Sequence, residues 1–310
     1  MQITLIDSFP DEFIHALSEL PVQVRYEPKA QREQILPWLG DTEVLILNSK
    51  IRVDREAIDA APKLRRVIRA GVGMDHIDVE YLAKKGVSAH NTAGANADSV
   101  AEQTVGMLLA LRHHLHRADR QVRQFEWKRE PNRGIELSGR KVGIIGYGHT
   151  GKAVARRLSG FRPRVLAYDK YLKGYGEIYA AQASMEQIFQ QAEVVSLHVP
   201  LTEETREMVN EDFLGRFVQP IYLLNLARGA IVHLPSLLTA VKEGKVLGAA
   251  LDVLPNEKFD QLSAAERKIY QQLFEREEII FSPHIGGWTF ESRQNINQRI
   301  IELVKEELSD

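Results

Sequence analysis

The 310-residue chain contains no cysteine. That absence excludes disulfides, thiolate zinc sites, thiol nucleophiles and CxxC redox chemistry together, and it accords with a cytoplasmic setting. An excess of either charge is also lacking. Forty Lys and Arg face forty-two Asp and Glu, a formal net charge of −2, so no global field draws the chain to nucleic acid or a membrane, and neither is expected as a partner. Long apolar runs are missing. Stretches such as 106–111 (GMLLAL) and 220–227 (PIYLLNLA) fall far short of the ~20 residues that span a bilayer. The opening MQITLID meets Asp7 before any basic region or long apolar run, so no targeting segment is read there. Internal repeats and low-complexity segments are absent as well.

What is present is an ordinary globular composition, 44% apolar and 26% charged, enough for a packed core. At about 150 residues per domain the length predicts two domains or one large α/β unit. Residues 3–6, 43–48, 65–70, 141–146, 164–169, 193–198, 221–226, 247–253 and 278–282 read as strands, and 101–125 and 151–158 as amphipathic helix. Strands that are apolar on both faces and alternate with helices predict parallel sheets covered by helices. A helical run beginning near Asp98 is one candidate crossing between domains, and the polar, turn-rich stretch 126–139 is the other.

Residues 142–151 read VGIIGYGHTG, with Gly146, Gly148 and Gly151 forming GxGxxG. The motif follows an apolar strand, opens a helical run, and precedes a strand ending in Asp169, 18 residues after the last glycine. In that context Gly146 permits the tight turn, Gly148 lets backbone approach a pyrophosphate, and Gly151 allows close helix–strand packing. The amides of His149 and Thr150 face the phosphates at the positive end of the helix dipole. Asp169 accepts from the ribose hydroxyls and repels a 2′-phosphate, which favours NAD over NADP; the neighbouring Lys170 softens that preference.

Three further residues suit hydride transfer to or from a 2-hydroxy acid: Arg228 in NLARGAIV, Glu257 in ALDVLPNE and His284 in SPHIGG. Each follows a predicted strand, where an open α/β sheet places its ligand crevice. A histidine suits the hydroxyl proton, a neighbouring carboxylate orients its ring, and an arginine fork suits the substrate carboxylate or a polarised carbonyl.

In these residues the sequence resembles the D-isomer-specific 2-hydroxyacid dehydrogenase family. The likeness covers nearly the whole chain, through RAGVGMDHID (69–78), HNTAGANADSVAEQTVGMLLAL (90–111), LSGRKVGIIGYGHTG (137–151), LHVPLTEETREMVN (197–210), NLARGAIV (225–232), ALDVLPNE (250–257) and SPHIGGWT (282–289). The resemblance implies an α/β fold of two Rossmann-like, doubly wound parallel-sheet domains. An NAD-binding domain, 98–285, would be inserted into a split, flavodoxin-like substrate domain, 1–97 with 286–310. It implies Arg228, Glu257 and His284 as the catalytic set, and the amides of Val72 and Gly73 as holders of the substrate carboxylate. Val199, Pro200, Leu226 and Ala227 would line the cofactor cleft, and Asp252 would contact the nicotinamide carboxamide. No metal is implied. The implied activity is NAD-dependent oxidation or reduction of a small 2-hydroxy or 2-keto acid. 3-Phosphoglycerate leads, because the first half is most similar to the branch that oxidises it. A glyoxylate or hydroxypyruvate reductase, or an NAD(H)-sensing binding protein like the co-repressors of this fold, are the alternatives. Family members are usually homodimers, with the long helix near 98–121 contributing.

Several features depart from the family pattern. Lys258 follows Glu257 where proline is common, and 259–278 reads as a helical insertion. Lys50 and Arg52 are the candidate readers of a substrate phosphate. His113, His114 and His116 lack ligand spacing for a metal. His198 is expected to pack near the adenine pocket, and Trp288 to serve packing.

Overall fold

Runs of Val, Ile and Leu that are apolar on both faces form strands buried on both faces, as parallel sheets under helices require. The first sheet comes from β1 (Gln2–Leu5), β2 (Gln23–Tyr26), β3 (Val44–Leu47), β4 (Arg66–Arg69) and β5 (Ser88–Asn91). Of these, β1, β3 and β4 are the apolar, mostly buried strands, and the edge strands β2 and β5 are polar and at most partly buried. Its order is β2-β1-β3-β4-β5, and every pairing is parallel. Helices α1 (Asp11–Ser18), α2 (Arg32–Ile35), α3 (Arg55–Asp59) and α4 (Val79–Lys84) connect the strands. Asp54 and Asp78 cap α3 and α4, accepting from Ala57 N and Tyr81 N, which satisfies amides the first turn leaves open.

The computed structural model describes residues 1–175 and 178–309. They fall into two units, Met1–Asn96 joined by the C-terminal stretch from Phe290, and Ala97–Thr289. The second unit begins with α5 (Ala97–Arg112) and α6 (Leu115–Arg123). The single long helix expected near 98–121 is therefore two. His114 takes a left-handed backbone, φ 53°, which a continuing α-helix cannot contain. The end of α5 is diverted as well: the Arg112 carbonyl accepts from Ile135 N, and its buried guanidinium donates to the carbonyls of Ile135 and Glu136.

The second sheet holds β6 (Lys141–Ile145), β7 (Arg164–Tyr168), β8 (Ala181–Gln182), β9 (Val194–Leu197), β10 (Ile221–Asn225), β11 (Val246–Leu251) and β12 (Ile279–Phe281). Among the described residues its order is β12-β11-β10-β9-β6-β7-β8, parallel throughout. Winding runs outward from β6 in both directions, so the topological switch lies between β6 and β9, where open α/β sheets bind ligands. Helices α7 (His149–Leu158), α8 (Met185–Gln191), α9 (Glu211–Gly215), α10 (Leu234–Lys242) and α11 (Ala264–Phe274) complete it. The expected helical insertion is α11, started by a capping box between Ser263 and Glu266.

The chain then returns to the first unit as α12 (Phe290–Ser309). Ile300, Leu303 and Val304 of α12 bury against Ile3, Leu5, Phe13 and Ile68, each worth roughly 1.5–3 kcal/mol relative to exposure. Arg66 on β4 fastens the helix with polar contacts, 2.7 Å to Glu307 and 2.8 Å to the Leu303 carbonyl.

Candidate active site

The turn between β6 and α7 is made of backbone. Gly146 has φ 92°, and a Cβ there would lie 2.5 Å from the His198 carbonyl oxygen; the loops after β6 and β9 therefore touch across the switch point. A Cβ on Gly151 would lie 2.1 Å from the Gly146 carbonyl oxygen, so only glycine lets α7 pack this closely on its own turn. At Gly148 a Cβ would meet nothing within 4 Å. The space beside the start of α7 is open, and no side chain caps that helix, which leaves the first-turn amides of His149 and Thr150 available to an anion. Asp169 closes the site. Its carboxylate accepts from Tyr147 N at 2.8 Å, Tyr171 N at 2.9 Å and Leu172 N at 3.0 Å. Burial pulls this carboxyl upward, but those three amides and nearby Lys173 outweigh it and hold it below the usual range. Lys170 pairs with Glu204, so its charge is answered within the protein. These residues fit a dinucleotide: a cradle open at Gly148, a helix N-terminus and an ionised acceptor.

The second cluster sits on the loops after β10, β11 and β12. His284 Nδ1 lies 2.9 Å from Glu257 Oε2, with both side chains about half exposed. Desolvation raises the Glu257 carboxyl, while the bond to His284, the Leu254 amide and the charge of Arg228 lower it further than that, so it stays ionised. Arg228 Nη1 donates to the Ala227 carbonyl at 2.7 Å. Fully buried Asn225 shapes its loop, donating to the Arg228 carbonyl and accepting from Ala227 N. Gly229 is the hinge-pin between two loops: a Cβ there would lie 2.0 Å from the Leu254 carbonyl carbon. Backbone against backbone, this contact brings the Arg228 loop to the Glu257 loop.

Asp252, buried to 2% exposure, organises the turn that carries His284. Its Oδ1 accepts from Ser282 Oγ at 2.5 Å and Ile285 N at 3.0 Å, and its Oδ2 accepts from Gly286 N at 2.8 Å. Its backbone carbonyl takes the His284 amide at 2.8 Å. The sequence reading put Asp252 on the cofactor and overlooked this anchoring, as it overlooked Gly229 and Ser282. Beside the pair a cavity of about 570 Å³ is walled by Leu254, Phe259, Phe274, Phe281 and Pro283; two of its aromatic rings come from the 259–278 insertion.

Other nominated residues are placed as follows. Val199 and Pro200 follow β9, and the Pro200 carbonyl accepts from Thr205 Oγ1 at 2.7 Å; Leu226 is buried at the end of β10. Val72 and Gly73 follow β4, where the Val72 carbonyl takes the Asn91 amide at 2.6 Å. Lys50 donates to the Pro28 carbonyl, so its ammonium is committed within the first unit. Arg52 shares a surface recess with Arg55, Asp54, Glu56, Asp75 and Asp78. Desolvation pushes the His198 ring down to about 4, leaving it neutral, 2.8 Å from Ser196 Oγ. Trp288, expected to serve packing, is 59% exposed. His116 contacts the Glu277 carbonyl.

A doubly wound sheet with a glycine cradle at its switch point, beside a histidine–carboxylate pair and an arginine, defines a nicotinamide-dinucleotide oxidoreductase. Residues 105–286 match the D-isomer specific 2-hydroxyacid dehydrogenase NAD binding domain, and the chain belongs to that family. It is 31% identical over 278 residues to a hydroxypyruvate reductase of Thermotoga maritima, covering 90% of this chain and 89% of that one. It is 30% identical to a D-3-phosphoglycerate dehydrogenase of Mycobacterium tuberculosis, covering 98% of this chain but 56% of that protein. The structure of a D-lactate dehydrogenase from Aquifex aeolicus, complexed with NAD and lactic acid, superposes with a TM-score of 0.86 at 28% identity, covering 100% of this chain and 96% of that one. Among the described residues no helix is long and apolar enough to cross a membrane.

Proposed function

We propose that this enzyme interconverts a small 2-keto acid and its D-2-hydroxy acid with NAD(H), and that its preferred substrate is unphosphorylated, hydroxypyruvate or glyoxylate. The observation that carries the chemistry is the 2.9 Å His284–Glu257 contact. An ionised carboxylate only accepts, so Nδ1 carries hydrogen and Nε2 is the atom that exchanges a proton with substrate. When bound, NAD supplies the hydride acceptor or donor. In reduction, protonated His284 gives its Nε2 proton to the keto oxygen, and Glu257 stabilises the imidazolium beforehand; in oxidation His284 takes the hydroxyl proton. Arg228 offers its fork to the substrate carboxylate or to the polarised carbonyl. In the first unit, the amides of Val72 and Gly73 hold the carboxylate, a reading supported by their place at the carboxyl end of β4.

Against a phosphorylated substrate stand the two nominated cations. Lys50 is engaged by Pro28, and the recess of Arg52 is lined by four acids beside Arg55, with Asp54 and Glu56 paired to Arg32, so neither cation stands as a dedicated phosphate reader. 3-Phosphoglycerate is the second reading, favoured by the identity that runs over 98% of this chain. NAD is preferred over NADP because Asp169 is ionised and Lys170 is paired with Glu204. A homodimer is the expected assembly, supported by Phe125 and Trp127, 100% and 80% exposed on the second unit.

The test is a steady-state panel of hydroxypyruvate, glyoxylate, pyruvate and 3-phosphoglycerate with NAD(H) and NADP(H). Highest kcat/KM is expected for an unphosphorylated keto acid with NADH; a higher value for 3-phosphoglycerate oxidation selects the second reading. His284→Ala should lose roughly 10²–10⁴-fold in kcat while still binding NADH, and near-normal turnover of that variant sinks the assignment. No turnover with any acid, alongside tight NADH binding, would favour a sensing protein.

A further inference from the structure

The turn 282–286 is gripped by α5 as well as by Asp252. Ser99, Gln103 and Met107 follow one another at four-residue spacing and so line one stripe of that helix. Ser99 Oγ donates to the Gly286 carbonyl at 2.6 Å, and Gln103 Nε2 donates to Ser282 Oγ at 3.2 Å. Ser282 Oγ lies 2.5 Å from Asp252 Oδ1 and 3.5 Å from Met107 Sδ. A thioether is a weak acceptor beside a carboxylate, so the hydroxyl hydrogen goes to Asp252. The Ser282 hydroxyl thus has one orientation, accepting from Gln103 and donating to Asp252.

We propose that Ser282 and Gln103 are positioning residues for His284: they fix the Asp252 carboxylate, which fixes the turn and thereby the imidazole. The proposal rests on the reading of His284 as the proton carrier. His284 has φ 57°, a conformation that persists in a non-glycine residue only when its surroundings over-determine it. Here the surroundings are identifiable. Asp252 takes the Ile285 and Gly286 amides and, through its carbonyl, the His284 amide; Gln103 and Ser99 tie the two ends of the turn to α5. Removing the Ser282 hydroxyl frees one lone pair of Oδ1 and leaves Gln103 Nε2 only the weak acceptor Met107 Sδ, at 3.9 Å, so the carboxylate can rotate and the turn with it.

Ser282→Ala is expected to lower kcat about tenfold, with KM for the keto acid and Kd for NADH within about twofold, because a small misplacement of a proton carrier is felt in the chemical step rather than in binding. Ser282→Thr keeps the hydroxyl and should restore kcat. Gln103→Leu should act in the same direction, about threefold. A readout independent of turnover is amide hydrogen exchange: Ile285 and Gly286 should exchange faster in Ser282→Ala and Gln103→Leu, with β6 and α7 unchanged. If Ser282→Ala fails to fold, Gln103→Leu, at a half-buried position, gives both readouts. Unchanged exchange at Ile285 and Gly286 overturns the proposal, and so does a Ser282→Thr variant as slow as Ser282→Ala. His284→Ala measured in parallel separates the failures. If it is inactive while Ser282→Ala is fully active, the positioning role alone falls; if both are fully active, the assignment of His284 falls with it.

Discussion

Two turns at the carboxyl edge of one sheet solve the same problem in opposite ways. The β6–α7 turn reaches positive φ with Gly146, for which that conformation carries no Cβ penalty, and packs α7 against itself through Gly151. The turn after β12 puts His284 at φ 57°, where an ordinary residue costs on the order of 1 kcal/mol. The first turn is built of backbone and closed by Asp169; the second is held from outside by the buried Asp252 carboxylate together with Ser99 and Gln103 of α5. Where a backbone need only approach a ligand, glycine suffices. Where a side chain must do chemistry, its conformation has to be imposed by neighbours, and those neighbours become as necessary as the reacting group.

The largest expected effect comes from removing that outside support. Asp252→Ala takes the carboxylate acceptor from the Ser282 hydroxyl and from the Ile285 and Gly286 amides, so it should cost on the order of 3 kcal/mol of stability and nearly all turnover. Asp252→Asn keeps the shape and one acceptor and should fall between this variant and wild type. Denaturant unfolding with parallel assays checks the order; equal stability of all three proteins would mean the turn holds itself.

The glycines sharpen the contrast at smaller magnitude. Gly151→Ala drives a Cβ to 2.1 Å from the Gly146 oxygen, so it should lower both the unfolding midpoint and NADH affinity. Gly148→Ala meets no atom within 4 Å, so its midpoint should stay within about 1 kcal/mol of wild type. NADH binding should nonetheless weaken about tenfold or more, since the methyl occupies the side from which the phosphates approach. A Gly148→Ala protein that binds NADH normally would place the dinucleotide elsewhere.

The same contrast explains what could be read in the sequence. GxGxxG encodes a local backbone shape, and the alternation of apolar runs with helices encodes parallel sheets, so the cofactor turn and the apolar inner strands were legible, while β2 (QVRY), β5 (SAHN) and β8 (AQ), which lack an apolar run, were not. His284, Glu257 and Arg228 were legible as residue types after strands. Their supports were not. Gln103 and Ser282 lie 179 residues apart, Gly229 meets Leu254 only through backbone, and nothing local marks Asp252 as the anchor of a later turn. The break of the expected long helix at His114 was hidden for the same reason: residues 135–136, far along the chain, take up the end of α5. Lys50 was read by its charge, and the Pro28 carbonyl that engages it comes from another loop.

The smallest effect tests whether Asp169 belongs with the backbone-made turn. Three amides hold its carboxyl below the ordinary value against the pull of burial, so the group is more acidic folded than unfolded. Its contribution to stability is therefore complete above the unfolded value, about 3.9, and is lost only as pH falls through the depressed folded value. The difference in unfolding midpoint between wild type and Asp169→Asn should stay constant from pH 8 down to about pH 5 and narrow only in stronger acid. The variant should also lose part of its preference for NADH over NADPH, because the charge that repels a 2′-phosphate is gone while Lys170 remains. A wild-type advantage that grows as pH falls from 7 to 5 would show a carboxyl raised by burial, with no support from Tyr147, Tyr171 and Leu172, and would detach Asp169 from the turn it closes.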